Sequence, residues 1–141
     1  MKKNAGFTII ELVMVVVILA VLSLIAIPNY LKSRTKTQQK EALANVRLIA
    51  AAEKIYYIEG ARYLGCNCST PVECAGGSGC NYLLKLMLNT QDWAYSVAAT
   101  GTSLNSTANI SATAKGNSCA YTLSSTDFNT KNYSTTSGCI N

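Results

Sequence analysis

The sequence predicts an α+β protein. One long N-terminal helix, hydrophobic in its first half and amphipathic in its second, packs on a small antiparallel sheet. Three observations predict this. Every residue from Leu12 to Leu22 is apolar, and only Ser23 interrupts the run to Ile27. A 3.6-residue apolar pattern then recurs from Ala42 to Tyr57. Further on, Trp93, Tyr95 and Val97 occupy alternate places, the period of a half-buried strand.

The first element covers residues 7–30. From Phe7 to Ile27, a helix rising ~1.5 Å per residue runs roughly 31 Å. A bilayer core is about 30 Å thick, so the segment is long enough to span it. Glu11 is the anomaly in this stretch. A carboxylate in hydrocarbon costs on the order of 2.5–3.5 kcal/mol at the centre and less towards the interface, unless it is paired. Two readings follow: Glu11 sits at the headgroup level, helped by the helix dipole, or it is kept to pair with a positive charge on another chain. Pro28 follows the apolar run. Proline removes a backbone donor and clashes one turn back, so it either kinks the helix or ends it at Ile27.

Residues 31–60 resume as an amphipathic helix. Ala42, Leu43, Val46, Ile49, Ala50, Tyr56 and Tyr57 share one face, which is expected to pack on the C-terminal domain. A second, narrower stripe carries Ala44, Leu48, Ala51 and Ile55. A helix attached to one small domain needs only one stripe, so the second is read as a contact with neighbouring copies; the competing reading packs both within one chain. Glu53 falls in the first stripe and is expected to be partly buried. Gly60 is a plausible stop. A continuous helix from about Phe7 to Glu59 would be ~80 Å long.

Residues 61–141 form the head. Cys66, Cys68, Cys74 and Cys80 are interleaved with Gly, Ser, Thr and Pro71, which reads as an irregular, stapled loop. Asn81 to Asn89 suggests a short helix. Asp92 to Ala99, Asn109 to Ala114 and Ser118 to Ser124 read as strands, with Gly101 and Gly116 in the turns. The end, to Tyr133, is a candidate fourth. There are no internal repeats.

Composition narrows the function. The chain has 141 residues and a formal charge of +5, a mild excess that does not imply nucleic acid. The basic residues Lys32, Arg34, Lys36 and Lys40 lie along the helix and not on the head. There is no His, which removes the commonest general base and the commonest metal ligand. No nucleophile–base pair is visible. Gly76-Gly77-Ser78-Gly79 lacks a following Lys and is no phosphate loop. No catalytic residue and no cofactor are expected.

Gly6-Phe7-Thr8-Ile9-Ile10-Glu11-Leu12-Val13, after a short leader with Lys2 and Lys3, resembles the type IV prepilin signature of pilins and pseudopilins. The close likeness covers the N-terminal segment; beyond it the layout alone is alike. The resemblance implies cleavage by a prepilin peptidase between Gly6 and Phe7, so that residues 1–6 are a leader. It implies N-methylation of Phe7. It also implies that Glu11 meets the N-terminal amine of a neighbouring subunit during assembly. Physics favours such a pair: amine and carboxylate attract strongly in a low-dielectric surrounding, and either alone is penalised. A bend or melted stretch at Pro28 in the filament is implied as well.

Two competitors are an ordinary secretory signal and an uncleaved single-span anchor. The signal reading lacks a clean Ala-x-Ala site, and Glu11 is odd within its apolar region. The positive-inside rule, read literally, puts the C-terminal side in the cytoplasm. The cysteines argue against that, because disulfides need an oxidising compartment, and the resemblance implies a cytoplasmic leader. The expected location is therefore the inner membrane, in a single pass, before assembly. An extracellular filament follows, or a periplasmic one for a pseudopilin.

Six cysteines permit fifteen pairings. Cys66 and Cys68 are too close to pair with each other. Cys119 and Cys139 are an isolated late pair, and a disulfide there would close a C-terminal loop as in many pilins. The other four would then pair among themselves. A four-cysteine zinc site is the alternative, but C-x-C-x5-C-x5-C lacks the usual C-x-x-C knuckles, and no metal is expected. Beyond Asn89 the acids are Asp92 and Asp127, thin for calcium. Major pseudopilins usually carry a calcium site there, which tilts the reading towards a true pilus. The leading expectation is a structural subunit that assembles with other pilin subunits, handled by the peptidase and the assembly machinery. A pseudopilin of type II secretion, or a minor pilin acting as adhesin or DNA receptor, is the alternative.

Overall fold

A computed structural model of the chain describes residues 6–101, 106–116, 118–128, 133–136 and 138–139. Most of the expected leader, with Lys2 and Lys3, lies outside the described residues. The chain divides into two compact units, one ending at Thr37 and the other starting at Gln38. Helix α1 (Ile9–Gly60) contributes to both.

In the first unit, α1 is apolar on every side and its side chains are exposed from Phe7 to Ile27. Pro28 lies inside the helix, so a helix end at Ile27 is corrected. Proline has no N–H for the Leu24 carbonyl and costs about 3 kcal/mol in a helix interior.

In the second unit, the α1 residues Ala42, Val46, Ile49 and Ala50 are buried. They share one core cluster with the inward residues of a five-stranded sheet. The strands are β1 (Cys66–Cys68), β2 (Trp93–Thr100), β3 (Thr107–Ala114), β4 (Ala120–Ser124) and β5 (Ser134–Thr135). They lie in chain order, every neighbouring pair antiparallel. Trp93, Tyr95 and Val97 of β2 point inward, as do Ala108, Ile110 and Ala112 of β3 and Tyr121 and Leu123 of β4. Period-2 alternation thus turns one face of β2, β3 and β4 into the core shared with the helix. Gly101, with φ 88°, follows β2 in the left-handed region that favours glycine.

The sheet has five strands where alternation predicts three or four. The additional one, β1, lies in the cysteine loop, is three residues long and consists of Cys66, Asn67 and Cys68; that is too short to show a period. The loop is also less irregular than its composition suggests. It holds helix α2 (Pro71–Ala75), capped by the Thr70 side chain, which accepts the Glu73 N–H at 3.2 Å. The helix expected over Asn81–Asn89 is shorter. Helix α3 covers Cys80–Leu83, and Lys85 then turns left-handed at φ 55°. The Asn81 side chain takes the Leu88 N–H at 2.8 Å, folding the segment back where a longer helix would have continued.

Candidate functional site

Gly6 stands in open space, with nothing within 4 Å of a built Cβ. Phe7 is 78 % exposed. Directly after it, Thr8 and Glu11 form a reciprocal cap. The Glu11 carboxylate accepts the Thr8 N–H at 2.9 Å and the Thr8 hydroxyl at 2.7 Å. The Thr8 hydroxyl in turn accepts the Glu11 N–H at 3.4 Å. This is the capping-box pattern, a Thr followed three residues later by Glu. It folds the single carboxylate of the apolar stretch back towards the Gly6–Phe7 bond. The Thr-x-x-Glu spacing that forms the cap is present in the sequence.

From Leu12 to Ile27, Ser23 is the single polar residue. Ser23 donates its hydroxyl to the Leu19 carbonyl at 2.7 Å and so hides its only polar group. A helix apolar all round needs a covering, from lipid or from other helices. By length and composition α1 is apolar enough to cross a membrane.

In the second unit the two stripes separate. The first is buried or half-buried, Tyr56 and Tyr57 included. The second is open: Leu48 is 46 % exposed and Ile55 60 %, with Ala44 and Ala51 exposed beside them. The reading in which both stripes pack within one chain does not hold, because the sheet covers only one side of α1.

Glu53 is fully buried. Its Oε2 accepts the Leu64 N–H at 2.8 Å, which ties the end of α1 to the chain leaving it. Its Oε1 is buried with no hydrogen-bond partner among the described residues. Burial pushes its pKa up to about 7, against a smaller lowering by the Leu64 N–H. The helical pattern placed Glu53 on the inner face, but nothing in the sequence named a backbone amide eleven residues away as its partner.

The six cysteines sit as three sulfur pairs: Cys66 with Cys80, Cys68 with Cys74, and Cys119 with Cys139. The first two pairs clasp β1 to α3 and α2, and Gly79 lies between, where a Cβ would clash with the Glu73 and Cys74 carbonyls. Asp92 accepts a hydrogen bond from the Gln38 side chain at 2.8 Å. Asp127 lies in the 3-10 turn that follows β4.

Comparison with known proteins places the N-terminal segment. Residues 1–27 match the prokaryotic N-terminal methylation motif, so the resemblance read from the octapeptide holds over that stretch. The chain is similar to the type IV major pilin protein PilA of Myxococcus xanthus, 43 % identical over 61 residues, covering 43 % of this chain and 28 % of that protein. It is similar to a fimbrial protein of Pseudomonas aeruginosa, 40 % identical over 60 residues, covering 43 % and 39 %. It is also similar to the type II secretion system core protein G of Vibrio cholerae, 33 % identical over 63 residues, covering 45 % and 43 %. The chain spans less than half the length of these relatives. No solved structure matches.

Proposed function

We propose that this chain is a structural subunit of a type IV pilus, assembled through α1. The observation that carries the reading is an exposed apolar stretch of α1, up to Ile27, whose one carboxylate, Glu11, caps Thr8 at the start of the helix. A prepilin peptidase would cut the Gly6–Phe7 bond, and the freed Phe7 amine would be methylated. In a filament, Glu11 would exchange its cap to Thr8 for the amine of a neighbouring copy. The exchange is favourable because a charged pair in a dry surrounding outweighs a hydrogen bond within one chain. Pro28 would supply the point at which α1 bends or opens on packing.

Before assembly the subunit would sit in the inner membrane by a single span, with the head in an oxidising compartment where the three cysteine pairs form. Its partners would be other pilin subunits and the machinery that extends the filament. It would turn over no substrate, and its basic helix residues would contact neither DNA nor RNA.

One observation favours a second reading. The relatives include core proteins of type II secretion systems, so a pseudopilin with a short periplasmic filament is the alternative. Deletion separates the two: lost surface fibres mark the pilus, and lost secretion the pseudopilus.

The test of the shared assembly mechanism is mass spectrometry of the exported chain combined with the Glu11→Ala variant. The expected chain starts at Phe7 with a methylated amine, and Glu11→Ala lowers filament yield about tenfold or more, equivalent to at least ~1.4 kcal/mol per contact. A chain that keeps its first six residues, or a variant that polymerises as well as the parent, overturns the proposal.

A further inference from the structure

Along one edge of α1, Arg47, Ala50, Ala51 and Lys54 stand within two turns of each other. With Leu123 of β4, and with Phe128 and Tyr133 beyond it, they enclose a cleft of about 270 Å³. All of these residues belong to the second unit. The floor of the cleft is apolar. Ala50, Leu123 and Phe128 are core side chains, each 6 % exposed or less, and Ala51 borders them from the exposed side of the helix. The two alanines leave room that larger side chains would take up.

The mouth is cationic. Arg47 donates from its Nε to the Tyr133 hydroxyl, and its guanidinium lies over the Tyr133 ring, 5.5 Å from the centroid. Two contacts thus hold a long side chain in one place. They use one of its five N–H donors and leave the outer fork of the guanidinium open. Among the described residues no carboxylate pairs with Arg47, and none stands three or four residues from it on α1. The Tyr133 oxygen, having accepted from Arg47, keeps its own O–H proton to donate. Lys54 lies at the other end of the floor, ~10 Å along the helix. It donates to the Phe128 carbonyl at 3.4 Å, and its charge adds to the positive potential over the cleft. Asp127, which precedes Phe128, is not among the lining side chains.

These features specify a ligand. A planar fork of donors beside a phenol hydroxyl suits a carboxylate, which accepts two parallel N–H bonds from a guanidinium. The floor suits an apolar body. The volume falls just short of the roughly 300 Å³ at which drug-sized sites begin, so the body is about one phenyl ring on a short linker. The positive potential disfavours an ammonium group beside the carboxylate, which sets a simple acid apart from an amino acid of the same shape.

We infer that the cleft lined by Arg47, Leu123, Phe128 and Tyr133 is a binding site for a small free carboxylic acid with an aromatic or branched apolar body. Arg47 and the Tyr133 hydroxyl hold the carboxylate, and Leu123, Phe128 and the two alanines cover the body. The site lies within a single chain, so it stands independently of the filament reading.

The experiment titrates the full chain in detergent with 3-phenylpropionate, with phenylalanine and with phenethylamine. Binding is read from the NMR signals of the Arg47 Nε–H and the Tyr133 ring, and empty micelles serve as the control for partition into detergent. 3-Phenylpropionate is expected to shift both signals with a Kd on the order of 1 mM, as befits so small a ligand. Phenylalanine and phenethylamine are expected to bind at least about tenfold more weakly. Arg47→Gln is expected to weaken the acid by a similar factor. Ala51→Phe, at an exposed position, is expected to abolish binding by filling the floor, while the unchanged Arg47 signal reports that the Tyr133 contact persists. Three ligands bound alike, or an acid bound equally by the parent and both variants, overturns the site. So does the absence of any shift at ten times the expected Kd. An acidic peptide, acetyl-Glu-Phe-Glu-amide, that shifts the same signals at a tenth of the free acid's concentration assigns the cleft to a protein partner and overturns the free-acid reading.

Discussion

Glu53 shows how one buried side chain can set the pH response of a domain. Its carboxyl is shut from water, and one N–H, from Leu64, is its partner. The folded chain holds the Glu53 proton up to about pH 7, whereas the unfolded chain releases it near the ordinary value of 4.5. Between those values the folded state binds the extra proton. Stability from this group is therefore full below about 4.5, falls as pH rises through about 7, and stays low above. Thermal denaturation of the full chain in detergent at pH 5 and pH 8 checks this. The parent is expected to lose several degrees of Tm at the higher pH, and Glu53→Gln, which keeps an acceptor for Leu64 but cannot ionise, is expected to lose markedly less. Parent and variant with the same pH dependence would remove Glu53 from the account. At this scale the sequence was informative about location and silent about partners. Periodicity put Glu53 inside and a resemblance put Glu11 at an assembly contact. The Leu64 N–H and the Thr8 cap are matters of local geometry, although the Thr-x-x-Glu spacing was there for both Thr8 and Thr70.

Among the elements, α1 carries the clearest division of labour. In the second unit its inner stripe is covered by the sheet, and its outer stripe, with Leu48 and Ile55, is open to solvent. Exposed substitutions change stability by about 0.5 kcal/mol or less. Leu48→Ser combined with Ile55→Ser is thus expected to leave the monomer's Tm within a few degrees of the parent while lowering filament yield. Circular dichroism melts and fibre counts on the same preparations measure both quantities. A collapsed melt would assign the stripe to the fold of the single chain. Element type was readable where a period had room to repeat, as in α1, β2, β3 and β4. It was unreadable in β1, three residues long, and in β5, two residues long. There, pairing with a neighbour creates the strand, and no pattern within so few residues can announce it. The overlong α3 expectation has the opposite cause: Leu83 to Leu88 look helical, and the Asn81 side chain closes them into a turn instead.

For the molecule as a whole, three disulfides reinforce a head with a modest core. Their contributions are expected to follow loop length. Cys119–Cys139 and Cys66–Cys80 close separations of 20 and 14 residues, and Cys68–Cys74 one of 6. In the chain-entropy account a loop of about 15 residues contributes ~3 kcal/mol, and the shortest loop here falls short of the longest by roughly 1 kcal/mol. Urea denaturation of paired Cys→Ser variants should rank the losses in that order. A Cys68→Ser/Cys74→Ser loss as large as the others would point to strain or packing, and not to loop closure. The sheet topology has a bearing on biogenesis as well. Strand follows strand in space as in sequence, so every strand pairs with the strand made before it, with α2 and α3 lying between β1 and β2. A meander of this kind closes only short stretches of polypeptide at each step, and the entropic toll of each closure is small. A head translocated in an extended state can therefore rebuild its sheet hairpin by hairpin, with no strand held in reserve for a distant mate.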